Sequence, residues 1–130
     1  MSAGRLVVVA DDEEDILDLV TTIIERSGHE VLPVRDGAAA LAAIRERRPD
    51  LVILDIAMPE VDGLEVLRRL RSDARTSELP VLLLSARAQE DDVRLAFATG
   101  ANAYVKKPFS PGELSRRVDN LLGAAAQSGL

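Results

Sequence analysis

Polar side chains suited to phosphoryl chemistry stand at the ends of four short apolar runs in this sequence. They are Asp11 and Asp12, then Asp55, then Ser85, and finally the pair Lys106 and Lys107. Three carboxylates brought together repel each other unless a cation neutralises them, and hard oxygen ligands suit Mg²⁺. One carboxylate can then attack phosphorus, while a lysine and a hydroxyl bind phosphoryl oxygens. The set indicates a site that forms an aspartyl phosphate.

The elements that must position these side chains follow from the hydropathy pattern. Five apolar runs rich in Val, Leu and Ile cover residues 6–10, 31–34, 51–54, 81–84 and 103–105. Three of them are nearly continuous, which is typical of strands buried on both faces of a parallel sheet. Helical periodicity fills the stretches between them, and strands alternating with helices imply right-handed βαβ crossovers. We therefore expect an α/β fold, a (βα)5 flavodoxin-like three-layer sandwich with one parallel sheet of order 2-1-3-4-5.

One domain accounts for almost the whole chain of 130 residues. Residues 1–124 form this domain, and the small and polar residues 125–130 are expected to be a flexible tail or the start of a linker. The first helix is predicted to pack through one stripe of large aliphatic residues. That stripe consists of Ile16, Leu19, Val20, Ile23 and Ile24. The fourth helix, near residues 89–99, has few large apolar residues, so weaker packing is expected there.

Composition and charge exclude several classes of function. A net charge of −6 and few aromatic residues argue against a direct nucleic-acid partner. No apolar run approaches the length needed to span a membrane, and no signal-peptide pattern is present at the N-terminus. The absence of cysteine excludes disulfides and thiolate metal sites and suggests the reducing cytoplasm.

Topology supports the grouping of the polar residues. Ligands of open parallel sheets bind beyond the carboxyl ends of the strands, and the polar residues follow strands one, three, four and five. Strand two, an edge strand in the expected order, has no such residue. Each residue also has a simpler interpretation: Asp12 as a helix N-cap, Asp55 as a solvated turn residue, Ser85 as a cap of the fourth helix. Coincidence of all of them on the right strands is a poor explanation.

Four segments together resemble the receiver domain of two-component response regulators, of the kind found in chemotaxis regulators. They are VVVADD at residues 7–12, PDLVILDIAMP at 49–59, LSA at 84–86 and GANAYVKKPF at 100–109. They stand in the order and spacing of that family and cover essentially the whole domain.

The resemblance implies a role for each site residue. Asp55 is the phosphorylation site, and Asp12, Asp55 and the backbone carbonyl of Ala57 bind Mg²⁺. Asp11 acts on the metal largely through bound water. The resemblance also implies a phosphate-binding lysine, an aromatic switch and a cis-proline. Lys107 would be the phosphate-binding lysine, and Tyr104 would be the aromatic switch that responds to movement of the Ser85 hydroxyl. Pro108 would be the cis-proline, through its peptide bond with Lys107.

The resemblance also implies partners and an output. A sensor histidine kinase or a phosphotransfer protein would supply the phosphoryl group. The surface of helix four, strand five and helix five would then bind a downstream protein or a fused effector domain. The chain would be a monomer or a weak phosphorylation-dependent dimer, and it would not be a turnover enzyme.

Two departures and two alternatives qualify this interpretation. Ala57 and Arg87 flank the path of attacking water in the family, so the rate of dephosphorylation is left open. Asn102-Ala103 replaces an acidic pair of winged-helix regulators, which weakens the inference of their symmetric salt-bridged dimer. A haloacid-dehalogenase-like phosphatase needs a second Asp two residues after the nucleophile, where Ala57 stands. A non-phosphorylated pseudo-receiver, serving only as a binding module, would be expected to lack part of the set.

Overall fold

The fold is a three-layer α/β sandwich, as the sequence predicts. The structure, a computed structural model, describes residues 4–87 and 89–128, with side chains up to residue 123. The strands are β1 (Leu6–Ala10), β2 (Glu30–Val34), β3 (Leu51–Asp55), β4 (Val81–Ser85) and β5 (Ala103–Lys106). The helices are α1 (Glu14–Arg26), α2 (Gly37–Arg47), α3 (Gly63–Ser72), α4 (Glu90–Thr99) and α5 (Pro111–Ser128). All strand pairs are parallel, and the order is β2-β1-β3-β4-β5, which confirms the predicted topology.

Each face of the sheet is covered by its own set of helices. The helices α1 and α5 pack on one face, where Val7, Val9, Ile53 and Leu84 point. On the other face, residues of alternating register such as Val8 and Leu54 contact α2, α3 and α4. Every residue of β3 and β4 is buried, because both strands lie inside the sheet and under helices on both faces.

The edge strand β2 differs from these central strands. Its burial is intermediate to exposed along its whole length, and it contains Pro33 opposite Val9 of β1. A proline cannot donate a ladder hydrogen bond, so a strand with one unpaired edge is the place that tolerates it. None of the site residues predicted from the sequence lies on this strand.

The apolar stripe of α1 is shifted from the predicted one. Leu17, not Leu19, packs in the core with Val20, Ile23 and Ile24, whereas Leu19 is 42% exposed. Both leucines fit a helical period, and only contact with the sheet decides between them. The prediction of Leu19 as a core residue was therefore wrong.

The C-terminal boundary also differs from the prediction. Helix α5 continues through Ser128, so residues 125–128, expected to be tail or linker, extend the helix. The sequence there is rich in alanine, the residue with the highest helix propensity. Residues 129–130 of the predicted tail lie outside the described residues. Among the described residues, no helix combines the length and the apolar character needed to cross a membrane.

Candidate functional site

The predicted site residues meet at one edge of the sheet, beyond the carboxyl ends of β1, β3, β4 and β5. Asp11 follows the last residue of β1, Asp55 and Ser85 end β3 and β4, and Lys107 follows β5. Register fixes their relative height, because Asp55 lies opposite Leu84 and Ser85 lies opposite Lys106. The chain continues this alignment past β5, where the Lys107 amide donates to the Ser85 carbonyl at 2.8 Å.

Three carboxylates form a cluster at this edge. Asp11, Asp12 and Asp55 can each place one oxygen within 4.8 Å of the oxygens of the other two. Asp11 is fully buried and Asp55 is 3% exposed, while Asp12 lies at the surface. The cluster is thus buried at Asp11 and Asp55 and accessible to solvent at Asp12.

Lys107 supplies the positive charge nearest to these carboxylates. Its Nζ lies 3.0 Å from Asp11 Oδ2 and 3.4 Å from Asp55 Oδ1, and it also contacts Glu13. Burial lowers the pKa of Lys107, but the close contact with the Asp11 carboxylate and its charge, followed by the charge of Asp55, raise it above its usual value. Lys107 is therefore held as a cation over the carboxylates. Its neighbour Lys106 is exposed, as expected.

Asp55 has an unusual protonation equilibrium. Burial first, and then the negative charge of Asp11, raises the pKa of Asp55 from 3.8 to about 6. The charge of Lys107 and the hydrogen bond from the Ala57 amide to Oδ1 act in the opposite direction without cancelling this effect. Two carboxylates forced together in a buried place, with one ammonium between them, are short of positive charge.

The acidic cluster fits a divalent cation. Asp11 Oδ2 is fully buried and accepts no hydrogen bond of good geometry, although it lies at ion-pair distance from Lys107. All donors are hard carboxylate oxygens, which Mg²⁺ prefers, and added positive charge would relieve the repulsion that raises the pKa of Asp55.

Ser85 and Tyr104 are connected through the segment that follows β4. Ser85 Oγ accepts from the Arg87 amide at 2.9 Å, and the Tyr104 hydroxyl donates to the Arg87 carbonyl. The Tyr104 ring is buried in the core on the α2, α3 and α4 face of the sheet. The predicted switch residue Tyr104 thus points inward, and its hydroxyl and the Ser85 hydroxyl both bond to the backbone of Arg87.

The simpler interpretations of the site residues do not hold. The N-cap of α1 is Glu13, not Asp12, and the N-cap of α4 is Gln89, not Ser85. Asp55 is buried and is not a solvated turn residue. The peptide bond between Lys107 and Pro108 is cis, the isomer that the resemblance implies.

The sequence analysis missed one side chain of the site. Glu13 Oε1 lies 3.2 Å from Lys107 Nζ, although 94 residues separate the two in sequence. Glu13 directly follows the acidic pair, which was a signal that could have pointed to it. His29 lies directly before β2, at the end of that strand opposite to the crevice. Its Nδ1 accepts a hydrogen bond from the Arg5 amide at 3.2 Å.

Comparison with known proteins gives a consistent picture. Residues 7–119 match the family model described as the response regulator receiver domain. The chain is 40% identical over 119 residues to the alkaline phosphatase synthesis transcriptional regulatory protein PhoP of Bacillus subtilis, covering 92% of this chain and 49% of PhoP. It is 40% identical over 112 residues to the DNA-binding response regulator MtrA of Mycolicibacterium smegmatis, covering 86% of this chain and 48% of MtrA.

The solved structures agree with the sequence relatives. The chemotaxis response regulator CheY4 of Vibrio cholerae superimposes with a TM-score of 0.86 at 28% identity, covering 92% of this chain and 99% of that protein. The chain spans about half the length of the curated relatives it matches. The family match, the shared fold and the strand-end residues lead to one conclusion: the chain belongs to the response regulator receiver domain family, the phosphoacceptor domains of two-component signalling.

Proposed function

We propose that Asp55 is the residue of this chain that accepts the phosphoryl group. The observation that supports it best is the position of its carboxylate: buried at the end of β3, within 3.4 Å of Lys107 Nζ, and in the cluster with Asp11 and Asp12. Asp55 differs from Asp11, the other buried carboxylate of the cluster, because it is the last residue of the central strand β3, beside the strand that ends in Ser85. The phosphatase alternative is not favoured, because the family is a phosphoacceptor family.

The reaction is a transfer of one phosphoryl group. A carboxylate oxygen of Asp55 attacks the phosphorus of a phosphorylated histidine in line with the P–N bond. The O–P bond forms as the P–N bond breaks, and the imidazole nitrogen leaves with the electron pair and takes up a proton. Lys107, held as a cation, stabilises charge on the transferred oxygens, and the Ser85 hydroxyl donates to one of them.

Asp11, Asp12, Asp55 and the backbone carbonyl of Ala57 would hold Mg²⁺, with Asp11 acting largely through water. Bound there, Mg²⁺ supplies charge neutralisation for the phosphoryl oxygens. Until it binds, the raised pKa of Asp55 leaves a larger protonated fraction near pH 6 than an ordinary aspartate has. The cation would add positive charge beside Asp55 that Lys107 alone does not supply.

The output is proposed to use the β4–α4 segment. When the phosphoryl group draws Ser85 inward, the Arg87 backbone that joins Ser85 to Tyr104 shifts with it. The inward Tyr104 ring seen here is the arrangement we expect phosphorylation to favour. The surface formed by α4, β5 and α5 would change as a result, and a partner that prefers the changed surface favours phosphorylation in return.

The partners follow from the family and stay proposals. They are a sensor histidine kinase or phosphotransfer protein as donor, and a downstream protein or fused effector domain as recipient. PhoP and MtrA are named as transcriptional and DNA-binding regulators, which is partly at odds with the predicted lack of a nucleic-acid partner. We propose that any DNA contact would belong to sequence outside this acidic domain, and that the domain works in the cytoplasm as a monomer or weak dimer.

The test is phosphorylation with Mg²⁺ and acetyl phosphate, or with a phosphorylated histidine kinase, followed by intact-mass measurement. We expect one added phosphoryl group, lost in Asp55→Asn and in the presence of a chelator. Asp18→Asn, on the exposed face of α1, is the matched control and should be labelled like the wild type. Asp12→Asn should need more Mg²⁺ for the same labelling. Undiminished labelling of Asp55→Asn would contradict the assignment.

A further inference from the structure

Lys107 is shared among three carboxylates, and one of them has no part in the proposed chemistry. Nζ lies 3.0 Å from Asp11, 3.4 Å from Asp55 and 3.2 Å from Glu13. The first two belong to the acidic cluster. Glu13 does not belong to it, and its side chain is 63% exposed. The lysine thus lies between the buried cluster and a carboxylate at the mouth of the crevice.

A purely structural role does not explain the Glu13 carboxylate. Glu13 is the N-cap residue of α1, but its side chain makes no capping hydrogen bond. Its backbone amide donates instead to Asp11 Oδ1 at 2.9 Å, which fixes the residue beside the cluster. Among the described residues the hydrogen-bond partner of its carboxylate is Lys107. An ion pair this exposed contributes little to stability, about 0–1 kcal/mol.

The geometry has a consequence for phosphorylation. An ammonium group has three donors, and here each of them has a carboxylate within reach. A phosphoryl group on Asp55 brings new anionic oxygens that need the same donors. The donor that faces Asp55 can turn to one of them, but a second phosphoryl oxygen can reach Lys107 only if another contact is given up. Glu13 is the partner that is exposed and able to turn to solvent.

We propose that Glu13 is a positioning residue that holds Lys107 toward the mouth of the crevice and competes with the phosphoryl group for it. The inference rests on the proposed function of Asp55. Glu13 helps to hold the Lys107 side chain in place in the unphosphorylated chain, and its release accompanies phosphorylation. Removing its charge frees Lys107 for the phosphoryl oxygens without removing any group of the acidic cluster.

The sequence offers a clean probe and a matched control. The chain has two lysines, Lys106 and Lys107, so labelling with ¹⁵N-lysine gives one exposed reference signal and one signal from the site. Glu14 is the control residue because it lies next to Glu13, is similarly exposed and pairs with Arg35. Glu14→Gln removes the same charge at nearly the same place, but it leaves the contact with Lys107 intact.

The experiment has two arms. In metal-free protein, Glu13→Gln should shift the Lys107 ammonium signal and speed its proton exchange, while Glu14→Gln and the Lys106 signal stay unchanged. With Mg²⁺, Glu13→Gln should bind beryllofluoride, a phosphoryl mimic, roughly two- to fivefold more tightly than Glu14→Gln, the size of one exposed ion pair. Glu13→Asp, which keeps the charge on a shorter side chain, should fall between Glu13→Gln and the wild type.

Each result decides a different question. An unchanged Lys107 signal in Glu13→Gln overturns the positioning role, whether or not the chain is phosphorylated. A shifted signal with unchanged or weaker beryllofluoride binding overturns the competition. If the wild-type chain binds no beryllofluoride although the Lys107 signal shifts in Glu13→Gln, the proposed function of Asp55 fails and the competition fails with it.

Discussion

The two βα units whose strands end in Asp55 and Ser85 differ in how firmly their helices are held. In the β3–α3 unit (residues 51–72), Asp62 caps the helix by accepting from the Glu65 amide at 2.9 Å. Three large side chains of that helix, those of Val66, Leu67 and Leu70, are buried in the core. In the β4–α4 unit (residues 81–99), the N-cap Gln89 makes no side-chain hydrogen bond, and the buried residue of α4 is Ala96. Leu95 and Phe97 are 49% and 46% exposed.

The loop after β3 adds to this contrast. The Gly63 amide donates to the Ile56 carbonyl at 3.0 Å, which closes the loop over Asp55. A Cβ at Gly63 would lie 2.4 Å from the Asp55 carbonyl oxygen, so the loop approaches the strand more closely than any other residue would allow. Asp55 is thus held by the buried strand before it and by the closed loop after it. A fixed position suits the attacking group that we propose it to be.

The contrast separates two demands on the site. The proposed nucleophile, Asp55, needs a fixed position, and the β3–α3 unit provides it through a cap, a close glycine contact and three buried anchors. The proposed movement of the Ser85 hydroxyl toward a phosphoryl group needs a less constrained neighbour, and α4, which follows Ser85, has no side-chain cap and one buried residue, Ala96. Elements that move in regulation come from the less stable parts of a fold.

The weak packing of α4 does not extend to its C-terminal end. Gly100 ends the helix in the left-handed region at φ +118°, and the Arg71 guanidinium donates to its carbonyl at 3.0 and 2.9 Å. The same guanidinium reaches Asn102 Oδ1 at 2.9 Å, and burial lowers the pKa of Arg71. Helix α4 is therefore anchored at the end far from Ser85 and loosely held at the near end.

The largest effect expected from this contrast is on core truncation. Leu67→Ala in α3 removes a fully buried side chain and should cost ~2–5 kcal/mol of unfolding free energy. Leu95→Ala in α4 removes a half-exposed leucine and should stay within ~0.5 kcal/mol. Chemical denaturation of both variants gives the comparison. Similar losses in the two helices would show that α4 is as firmly packed as α3.

Much of this architecture was predictable from the sequence, because it depends on local pattern. Continuous Val, Leu and Ile runs mark β3 and β4, and the alternation of elements gives the topology that brings Asp11, Asp55, Ser85 and Lys107 to one edge. Contacts that depend on where two distant segments meet were not predictable. The Glu13–Lys107 contact spans 94 residues, and the Arg71–Gly100 contact spans 29.

The face of a helix is also hard to obtain from period alone. In α1, Leu17 and Leu19 both fit an apolar stripe, and the orientation of the helix on the sheet places Leu17 in the core. The end of α5 was mispredicted for a related reason. Small residues that resemble a linker in composition also favour a helix once one has begun.

An intermediate effect is expected at Asp55, the proposed nucleophile, where the firmly packed β3–α3 unit contains a destabilising group. The pKa of Asp55 is about 6 in the fold against about 3.8 when unfolded, so the unfolded chain loses this proton first. Stability therefore falls as the pH rises from about 4 to about 6, by up to ~3 kcal/mol, and the loss persists above that range. The groups facing Asp55 in this titration are Asp11 and Lys107.

Asp55→Asn should remove most of this loss. In a chelator, the variant should be more stable than the wild type at pH 7 and similar to it near pH 4, as measured by urea unfolding across that range. Asp18→Asn on α1 controls for the removal of one charge and should follow the wild-type curve. A constant difference between Asp55→Asn and the wild type at every pH would contradict the raised pKa of Asp55.

The smallest effect is expected from exchanging the caps of the two helices. Asp62→Ala in α3 removes the hydrogen bond to the Glu65 amide and should cost about 1 kcal/mol. Gln89→Ser in α4 places a capping hydroxyl where the N-cap backbone is already extended, at φ −71° and ψ 150°, and should add up to about 1 kcal/mol. Hydrogen exchange should show slower opening confined to the first turn of α4. This first turn of α4 adjoins the Ser85 segment. If the turn must rearrange when the phosphoryl mimic binds, the added cap should weaken beryllofluoride binding. If α4 moves as a rigid body, the added cap should leave that binding unchanged. Greater global stability without slower exchange in α4 would show that its first turn was already well held, and the contrast between the two units would then rest on side-chain packing alone.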